Sequence, residues 1–458
     1  MVKDKTKKLI IYELNEVPLK VLKKYIKINP QSNFAKLCKE GFLKETITQD
    51  QGELHPWSTW PTVHRGVNNN IHQIQFINQN LDFSKNWPPI WEVLLKNNIS
   101  TGIFGSLQSY PPIKNDLVAF YLPDTFSPEP DAIPKKLIEF QKFNLFLTGK
   151  NKAISRKINL KDYIKFFNLV IKGYFEFRTI FLLGKHIFME IIHPINKSLR
   201  SLMQPILGFD IYFKLLKKEK PYYSSFFTNH VAGMMHRYWK YTFPEDFEEN
   251  KNFDKFFHSK SIFKAMNIAD YQIGKLFKFC NTNNYELWVI SSMGQEAIKR
   301  DDYYPEIYVS SIKKIIKAIG LNYSNYKLLP AMQPDICISC KNRNCLSDLL
   351  SNIKKIKDSE GNTIFQPRYS NDGLNINISI KHSRNAYQTK KLYVAGKSFK
   401  SKELSIEFVK RDIGTGYHNP KGIYIGYGSK SKKLFNTYKN KLIDTKDFFQ
   451  QIKRYFSI

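Results

Sequence analysis

The sequence predicts an α/β fold in which helices cover both faces of a mostly parallel central sheet and a helical insertion interrupts the chain. Short apolar runs without polar alternation, at 9–14 and 287–290, are typical of strands that are buried on both faces. A strand, a helix and a second strand follow one another between residues 9 and 105, as in a βαβ unit. Residues 135–220 are rich in Phe, Ile, Leu and Lys and poor in Pro and Gly, which indicates helices.

The first part of the chain, residues 1–134, is predicted to form the first half of the core. Its apolar runs are short and separated by polar or Pro-containing segments, which mark the ends of the elements. The elements predicted in chain order are a strand at 9–14, helices at 19–25 and 34–39, a polar Trp-rich loop at 50–72, a helix at 91–96, a strand at 101–105 and a Pro-rich connection at 111–134.

The middle part, residues 135–220, is interpreted as a helical insertion, or cap. Its most apolar stretch, at 166–192, is interrupted by charged residues such as Lys185. Two interpretations of this stretch are open: a helix buried in the cap, or an amphipathic helix that lies at a membrane interface. We expect the buried cap helix.

The last part, residues 221–458, is predicted to return to the core and complete it. The pattern again alternates short apolar runs with a longer amphipathic segment. The elements predicted in chain order are a strand at 224–228, a helix at 262–280 and strands at 287–290, 376–380 and 422–426.

Length and composition exclude several classes of protein. A chain of 458 residues with 15% aromatic side chains can bury a large core, so wholesale disorder is excluded. No stretch approaches 18 uncharged apolar residues, so no membrane-spanning helix is predicted. The apolar run at 9–12 is too short for the core of a signal peptide. We therefore expect a cytoplasmic protein, either free or peripheral to a membrane.

The charge of the chain favours anionic partners. The formal net charge is +31, from 71 basic and 40 acidic residues. Most of the basic residues are Lys scattered among Asn and Ile, so a coding bias also explains the excess. We expect an anionic small-molecule or glycan substrate. No zinc finger, basic helix or RNA-binding motif is found, so nucleic acid is not expected.

Polar residues follow the predicted strands at the edge where α/β sheets bind ligands. Among them are Asn15 and Glu16 after the first strand, and Ser292 after the strand at 287–290. The strongest metal candidates are three histidines from separate segments, because neutral imidazole binds zinc well: His230, His236 and His418. A single histidine at a strand end is more often a hydrogen-bonded structural residue, and this alternative stays open for each of them.

The order of several motifs resembles the alkaline phosphatase superfamily, in particular its branch of type I phosphodiesterases and nucleotide pyrophosphatases. The resemblance spans about 9–125 and 222–428. It implies an alkaline phosphatase-like sandwich interrupted by the helical cap. The segments that carry it are Ser58 to Ile74, Pro89 to Leu95 with Gly102 to Gly105, Phe227 to Trp239, Trp288 to Gly294, and Gly416 to Ile425.

The resemblance implies a mechanism with two metal ions and a Thr or Ser nucleophile, but one of the two metal sites departs from the family pattern. Where the family has Asp on the first strand, this chain has Asn15. Where the family has an Asp-His pair, it has Ser292 and Met293. These are poor ligands for a hard cation, so we expect this metal site to be lost. An alignment without gaps puts Pro56 at the nucleophile, whereas a shifted alignment offers Thr59, our catalytic candidate.

The other metal site of the family needs Asp, His and His. The resemblance supplies His236 and His418, but Ala232 stands at the Asp position, where Glu16 or His230 would have to substitute. We therefore expect one divalent metal at most, with zinc the first choice. The same resemblance makes three residues of its motifs candidates for substrate contacts: Asn15, Arg65 and His72.

The functional prediction is a hydrolase or phosphoryl or phosphodiester transferase that acts on a phosphate or sulfate ester. A catalytically inactive relative is the alternative, binding a glycan, a nucleotide or a protein partner in the same pocket. In a third interpretation the Lys-rich cap docks at a membrane surface, near a lipid-linked substrate.

Overall fold

The protein is described here by a computed structural model. It covers residues 8–149, 168–247, 257–298, 305–329, 331–332, 335–369, 373–381, 383–409, 415–438 and 441–458. The strands in chain order are β1 (Lys8–Leu14), β2 (Phe42–Ile47), β3 (Thr101–Phe104), β4 (Val118–Leu122), β5 (Tyr223–Thr228), β6 (Tyr285–Ile290), β7 (Gly294–Ile298), β8 (Glu306–Val309), β9 (Tyr326–Leu329), β10 (Ile336–Cys340), β11 (Ile356–Lys357), β12 (Phe365–Tyr369), β13 (Asn375–Ile380), β14 (Lys391–Val394), β15 (Lys397–Lys400), β16 (Ile406–Val409), β17 (Thr415–Asn419), β18 (Lys421–Tyr427) and β19 (Ile443–Asp444).

The α-helices pack around this set of strands. In chain order they are α1 (Leu19–Ile28), α2 (Asn33–Glu40), α3 (Pro56–Arg65), α4 (Asn69–His72), α5 (Ile90–Lys96), α6 (Ile138–Gly149), α7 (Phe177–Ile192), α8 (Met203–Glu219), α9 (His230–Thr242), α10 (Ser261–Asn283), α11 (Ile312–Ala318), α12 (Arg343–Ile353), α13 (Arg384–Thr389), α14 (Ser429–Phe435) and α15 (Asp447–Tyr455).

The central sheet has eight strands in the order β19-β2-β18-β6-β1-β5-β3-β4. Strand β1 lies parallel to β5 and β6, and β3 lies parallel to β4 and β5. Strand β18 is antiparallel to both of its neighbours, β2 and β6. The predicted mostly parallel sheet is confirmed, and β18 is its antiparallel exception.

Helices cover both faces of this sheet because successive side chains of a strand point to opposite sides. From β1, Ile10 and Tyr12 pack into one hydrophobic cluster, with residues of α1, α2, α8, α9 and α10. Leu9 and Ile11 pack into a second cluster, with residues of α3, α5 and α15. The α/β architecture with helices on both faces is therefore confirmed.

Buried residues between Ile307 and Ile406 form a third hydrophobic cluster, which the sequence did not separate from the rest of the second half. Its main sheet has the order β12-β13-β10-β9 and is antiparallel throughout. Ile338 and Ile376 from this sheet pack with Leu349 from α12. The boundaries predicted at 134 and 220 stay predictions, because no described feature of the chain tests them.

Two predictions for the first part of the chain are wrong. The predicted loop at 50–72 contains helix α3, which Pro61, two tryptophans and three β-branched residues had disguised. Two signals that were overlooked mark its ends: Pro56 stands at the first helical position, and Gly66 ends the helix with φ 71°. The Pro-rich connection at 111–134 likewise contains β4, the edge strand of the central sheet.

The described part of residues 135–220 consists mainly of helices, among them α6, α7 and α8. Helix α8 packs on the sheet through Phe209 and Tyr212, whereas α7 lies farther out and buries only three of its residues. Within the described ranges, no helix combines the length and the apolar character needed to cross a membrane.

Candidate metal centre

Three separate elements bring an acidic residue and two histidines to one end of the central sheet. Glu16 lies two residues after the end of β1, and its φ of 60° places it in the left-handed region that non-glycine residues seldom adopt. His236 lies in the second turn of α9, the helix that follows β5. His418 lies on β17, which pairs with β7. The parallel sheet therefore sets the position of two of these elements, and the β7–β17 ribbon sets the third.

The three side chains point at one another. Nε2 of His236 lies 3.0 Å from Oε2 of Glu16, and Nε2 of His418 lies 3.6 Å from the same oxygen. The two imidazole rings are 5.1 Å apart between centroids and nearly perpendicular. One ligand atom from each residue lies within 4.8 Å of the others. In a tetrahedral zinc site, bonds of about 2.0–2.1 Å separate neighbouring ligand atoms by roughly 3.3 Å. The two distances to Glu16 lie on either side of this value.

Hydrogen bonds from neighbouring groups orient the ligand atoms. The Glu16 carboxylate accepts from Nε2 of Gln295 at Oε2 and from Nδ2 of Asn15 at Oε1. Nδ1 of His236 lies 2.9 Å from the carbonyl oxygen of Gly416, so this nitrogen donates and Nε2 faces Glu16. Such outer contacts fix the tautomer and direction of a metal-binding histidine.

The electrostatics of the centre keep Glu16 ionised and His418 neutral. Burial opposes ionisation of Glu16, but the charges of His418 and His236 and the hydrogen bonds from His236 and Gln295 outweigh it and lower its pKa to about 2. Burial lowers the pKa of His418, although the charge of Glu16 acts in the opposite direction. At neutral pH this gives an anionic carboxylate beside a neutral imidazole, the protonation states in which both groups bind a cation.

The donor set fits a divalent cation. Two imidazoles and one carboxylate match the ligands of catalytic zinc sites, which use three protein ligands and leave a fourth position open. The same set also suits iron and manganese, so the residues do not by themselves select the metal. Of the residues that the structure describes, Glu16, His236 and His418 are the group whose geometry could hold an ion.

Next to this group, the positions where the family pattern expects a second set of ligands form a neutral hydrogen-bonded cluster. The Thr59 hydroxyl lies 2.8 Å from the Ser292 hydroxyl, and both residues are fully buried. Oδ1 of Asn15 accepts from Nε1 of Trp60, and its Nδ2 also donates to Asn229. Met293 is fully buried too. The choice of Thr59 over Pro56 as the nucleophile stays a prediction.

The structure does not bring His230, Arg65 or His72 to the centre. Nδ1 of His230 lies 2.6 Å from the Thr228 hydroxyl, and its Nε2 lies 3.0 Å from the Ala265 carbonyl oxygen, so neither nitrogen is left for a metal. Burial lowers the pKa of His230 to about 4. Its place beside Thr228 is therefore that of a neutral structural histidine.

Arg65 and His72 also contact the protein itself. The Arg65 guanidinium is buried and donates from Nη1 to the carbonyl oxygens of Ser84 and Trp87. His72 lies 3.1 Å from the Thr62 hydroxyl through Nε2, and its Nδ1 accepts from the backbone N–H of Ile74. Burial and the charge of Arg65 lower the pKa of His72 to about 3. Both side chains hold the chain around α3 in place, and their predicted substrate contacts stay predictions.

Two residues of the centre were not among the predicted site residues. Gln295 lies opposite His418 in the β7–β17 pair and was hidden because the short strand β7 was not predicted. His55 lies against His418, with 5.7 Å between the ring centroids, and stacks on Trp57. Burial lowers the pKa of His55 to about 4, against the raising effect of Glu53. The one signal for His55 was its place directly before Pro56, at the start of α3.

Comparison with known proteins gives similarity in structure only. No protein-family model matches the chain, and no curated protein does. Murine ectonucleotide pyrophosphatase/phosphodiesterase 5 is similar with a TM-score of 0.42 and 10% identity, over 99% of this chain and 95% of that chain. Its human counterpart has a TM-score of 0.41 and 10% identity, over the same shares.

Phosphonoacetate hydrolase from Sinorhizobium meliloti 1021 is similar with a TM-score of 0.43 and 10% identity, over 98% of this chain and 96% of that chain. Structures of the murine protein, as an inactive variant, and of the hydrolase contain AMP and phosphonoformate respectively.

Proposed function

We propose that the chain holds one divalent cation, zinc as the first choice, through Glu16, His236 and His418. The observation that carries this proposal is the approach of the three ligand atoms to within 4.8 Å of one another. The left-handed backbone at Glu16 supports it, because a non-glycine residue keeps such a conformation where the surroundings require it, often at functional sites. A cation held there would polarise an oxygen of a bound ester and offset its negative charge.

The substrate class that we propose is an anionic ester of a small molecule or a glycan, with a phosphate or sulfate group at the centre. The formal net charge of +31 supports an anionic substrate, and the order of the motifs supports an alkaline phosphatase-like hydrolase or transferase. Glu16 and the two histidines would hold the cation, while Asn15 and Gln295 orient Glu16.

Slow turnover is part of this proposal. Asn15, Ser292 and Met293 offer no carboxylate or imidazole for a second ion, and a second ion normally supplies several kcal/mol of charge stabilisation to an in-line displacement. Thr59 stays the candidate nucleophile. Its hydroxyl is fully buried against Ser292, so substrate would reach it only after local rearrangement.

The experiment compares hydrolysis of bis-nitrophenyl phosphate, nitrophenyl phosphate and nitrophenyl sulfate by the wild type, His418→Ala and Thr59→Ala, with zinc or manganese supplied. We expect weak activity that His418→Ala abolishes. A loss of activity in Thr59→Ala as well would support Thr59 as the nucleophile. If Thr59→Ala keeps full activity, attack by water is favoured. Turnover near about 10 per second, the enzyme median, would contradict the single-ion account.

A second candidate is a binding protein without catalysis, and one observation favours it. Asn15, Thr59 and Ser292 are neutral and buried, and each hydrogen-bonds to another side chain of the protein, which suits structure better than chemistry. Calorimetry of the metal-loaded protein with nucleotides and sugar phosphates would test it. Tight binding of one class without any turnover would support this candidate over the enzyme.

A further inference from the structure

Helix α7 differs from an ordinary surface helix because its aromatic side faces outward and part of its polar side faces inward. It buries Thr179, Leu183 and Glu190 and exposes its aromatic residues. Phe177, Phe181 and Phe188 are 84%, 63% and 59% exposed. A surface helix of a globular protein normally turns its apolar side to the core and its charged side to water. In α7 the apolar side faces outward instead, and the described part of the chain leaves it exposed.

The exposed apolar residues form one continuous stripe. At about 100° per residue, Phe177, Phe181, Phe188 and Ile191 fall within roughly 80° of one another around the helix axis. Thr179, Leu183 and Glu190 fall on the opposite side. The stripe includes Ile192, the last residue of α7, and continues beyond the helix to Ile195, and both are exposed. We call these outward residues, from Phe177 to Ile195, the apolar stripe.

The polar inner side of α7 is satisfied by ion pairs, which fixes the orientation of the helix. Glu190 is buried and accepts hydrogen bonds from the Arg200 guanidinium at 2.7 and 2.8 Å. Before the helix, Glu176 pairs with Lys275 at 2.8 Å. Turning α7 to bury its phenylalanines would break the Glu190 pair and expose Leu183. The apolar stripe is therefore held outward by the contacts of its own helix.

Basic side chains border the apolar stripe. Arg178 and Lys185 lie along one flank of α7, and Lys197 lies beyond its C-terminal end, all exposed. Lys172, before the helix, is paired with Glu139 and adds no net charge. The two acidic residues of this segment, Glu176 and Glu190, are paired with Lys275 and Arg200. The surface thus combines exposed aromatic groups with unbalanced positive charge, the combination that interfacial helices present to anionic lipid.

We propose that the apolar stripe docks this protein on an anionic lipid bilayer, with α7 lying in the plane of the interface. The phenylalanines would enter the boundary between headgroups and acyl chains, while Arg178 and Lys185 contact lipid phosphates. The segment after α7 is tied to the helix of the metal centre, because Nη2 of Arg237 donates to the Ser201 hydroxyl at 3.1 Å. Docking would hold α9, which carries His236, near the bilayer.

Vesicle sedimentation tests the charge dependence of this docking. We expect the full chain to bind vesicles of equal parts phosphatidylcholine and phosphatidylglycerol, to bind pure phosphatidylcholine weakly, and to be released at about 0.5 M salt, where charges are screened beyond roughly 4 Å. Lys185→Glu with Lys197→Glu should weaken binding to the anionic vesicles. Equal binding to both vesicle types at all salt concentrations would overturn the electrostatic part of the proposal.

Substitution of the stripe tests its role directly. Phe181→Gln with Phe188→Gln should lower the vesicle partition coefficient by at least about tenfold. The matched control is Leu328→Gln with Tyr369→Gln, two apolar residues that are each 48% exposed elsewhere on the molecule. The control should bind like the wild type. Equal binding by the stripe variant, the control and the wild type would overturn the proposal.

Tryptophan fluorescence and a stability measurement distinguish docking on lipid from contact of the stripe with another part of the chain or with a second copy. Phe188→Trp fluorescence should be quenched by brominated lipid, whereas Leu328→Trp should not be. The stripe variant should keep the melting temperature of the wild type without vesicles, since a fall would mean that another part of the chain covers the stripe. A dimer in solution that the stripe variant abolishes would assign the stripe to a second copy instead. Glu16→Gln should bind vesicles normally, so failure of the metal proposal leaves this test unaffected.

Discussion

At the scale of single residues, Glu16 is the centre of the site because it links two hydrogen-bonding networks. One carboxylate oxygen faces His236 and His418 and accepts from Gln295, and the other accepts from Asn15. The strand-end position of Glu16 was visible in the sequence, and so were the two histidines. Gln295 was not, because its role depends on the pairing of two short strands that are distant in the chain.

The pKa of Glu16 leads to a prediction about stability. Its folded pKa of about 2 lies below the ordinary value of about 4.3. The stabilisation from ionised Glu16 is therefore present above the ordinary pKa and lost as pH falls through the folded pKa. In metal-free protein, Glu16→Gln should lower the free energy of unfolding by on the order of 1–3 kcal/mol at neutral pH and by clearly less near about pH 3. Urea unfolding at both values measures this, and a cost independent of pH would contradict it.

Asn15 gives a second prediction at this scale. An aspartate there would lose the bond from Nδ2 to Glu16, now 2.8 Å long, and place a second negative charge beside the first. Asn15→Asp should lower the free energy of unfolding by about 2–3 kcal/mol at neutral pH. The loss should shrink in acid, because the new carboxyl, with a raised pKa, then stays protonated. Chemical denaturation checks this. An unchanged or increased stability at neutral pH would mean that a bound cation offsets the negative charges of both carboxylates.

At the scale of elements, β17 holds the site through a close approach that only glycine allows. A Cβ on Gly416 would lie 2.5 Å from Oε1 of Gln295 and 2.7 Å from the Met235 carbonyl oxygen. Gly416→Ala should therefore shift β17, lower metal affinity by about tenfold or more and destabilise the fold by about 1–3 kcal/mol. Gly184→Ala, where no atom lies within 4 Å of the added Cβ, is the matched control and should keep metal affinity. Titration with zinc against a competing chelator measures both, and equal affinities would refute the argument.

The success of sequence reasoning differed from element to element. Strands β1 and β6 were predicted because a strand that is buried on both faces has a short, mostly apolar sequence. Helix α3 was missed because Pro61 and its tryptophans resemble a loop, and tertiary packing overrides their low helix propensity. The orientation of α7 was expected to be inward, and its phenylalanines point outward instead, because Glu190 rather than an aromatic residue meets Arg200.

At the scale of the whole molecule, the chain contains a core cluster at 305–409 that is distinct from the two clusters flanking the central sheet. Periodicity did not separate it, because its strands are short and follow one another without a linker that differs in composition. The three-part organisation expected from the sequence stays a prediction. Within its third part, the residues between Ile307 and Ile406 have a hydrophobic cluster of their own.

Leu349 tests whether this cluster is independent. It is fully buried and belongs to α12. Leu349→Ala should cost about 2–5 kcal/mol within the cluster. Hydrogen exchange measured by mass spectrometry should become faster in β10 and β13 and stay unchanged in β1 and β6. Faster exchange in all four strands would show that the cluster and the central sheet unfold as one unit.

The central claim is that Glu16, His236 and His418 bind one divalent cation, and metal content measures it most directly. Elemental analysis should find about one zinc or similar ion per chain in protein purified without a histidine tag. It should find none in Glu16→Gln, His236→Ala or His418→Ala. His193→Ala, at an exposed histidine outside the site, should keep the full content. Retention of the metal by all three site variants, or a wild type that takes up no metal when zinc, manganese and iron are supplied, would contradict the account.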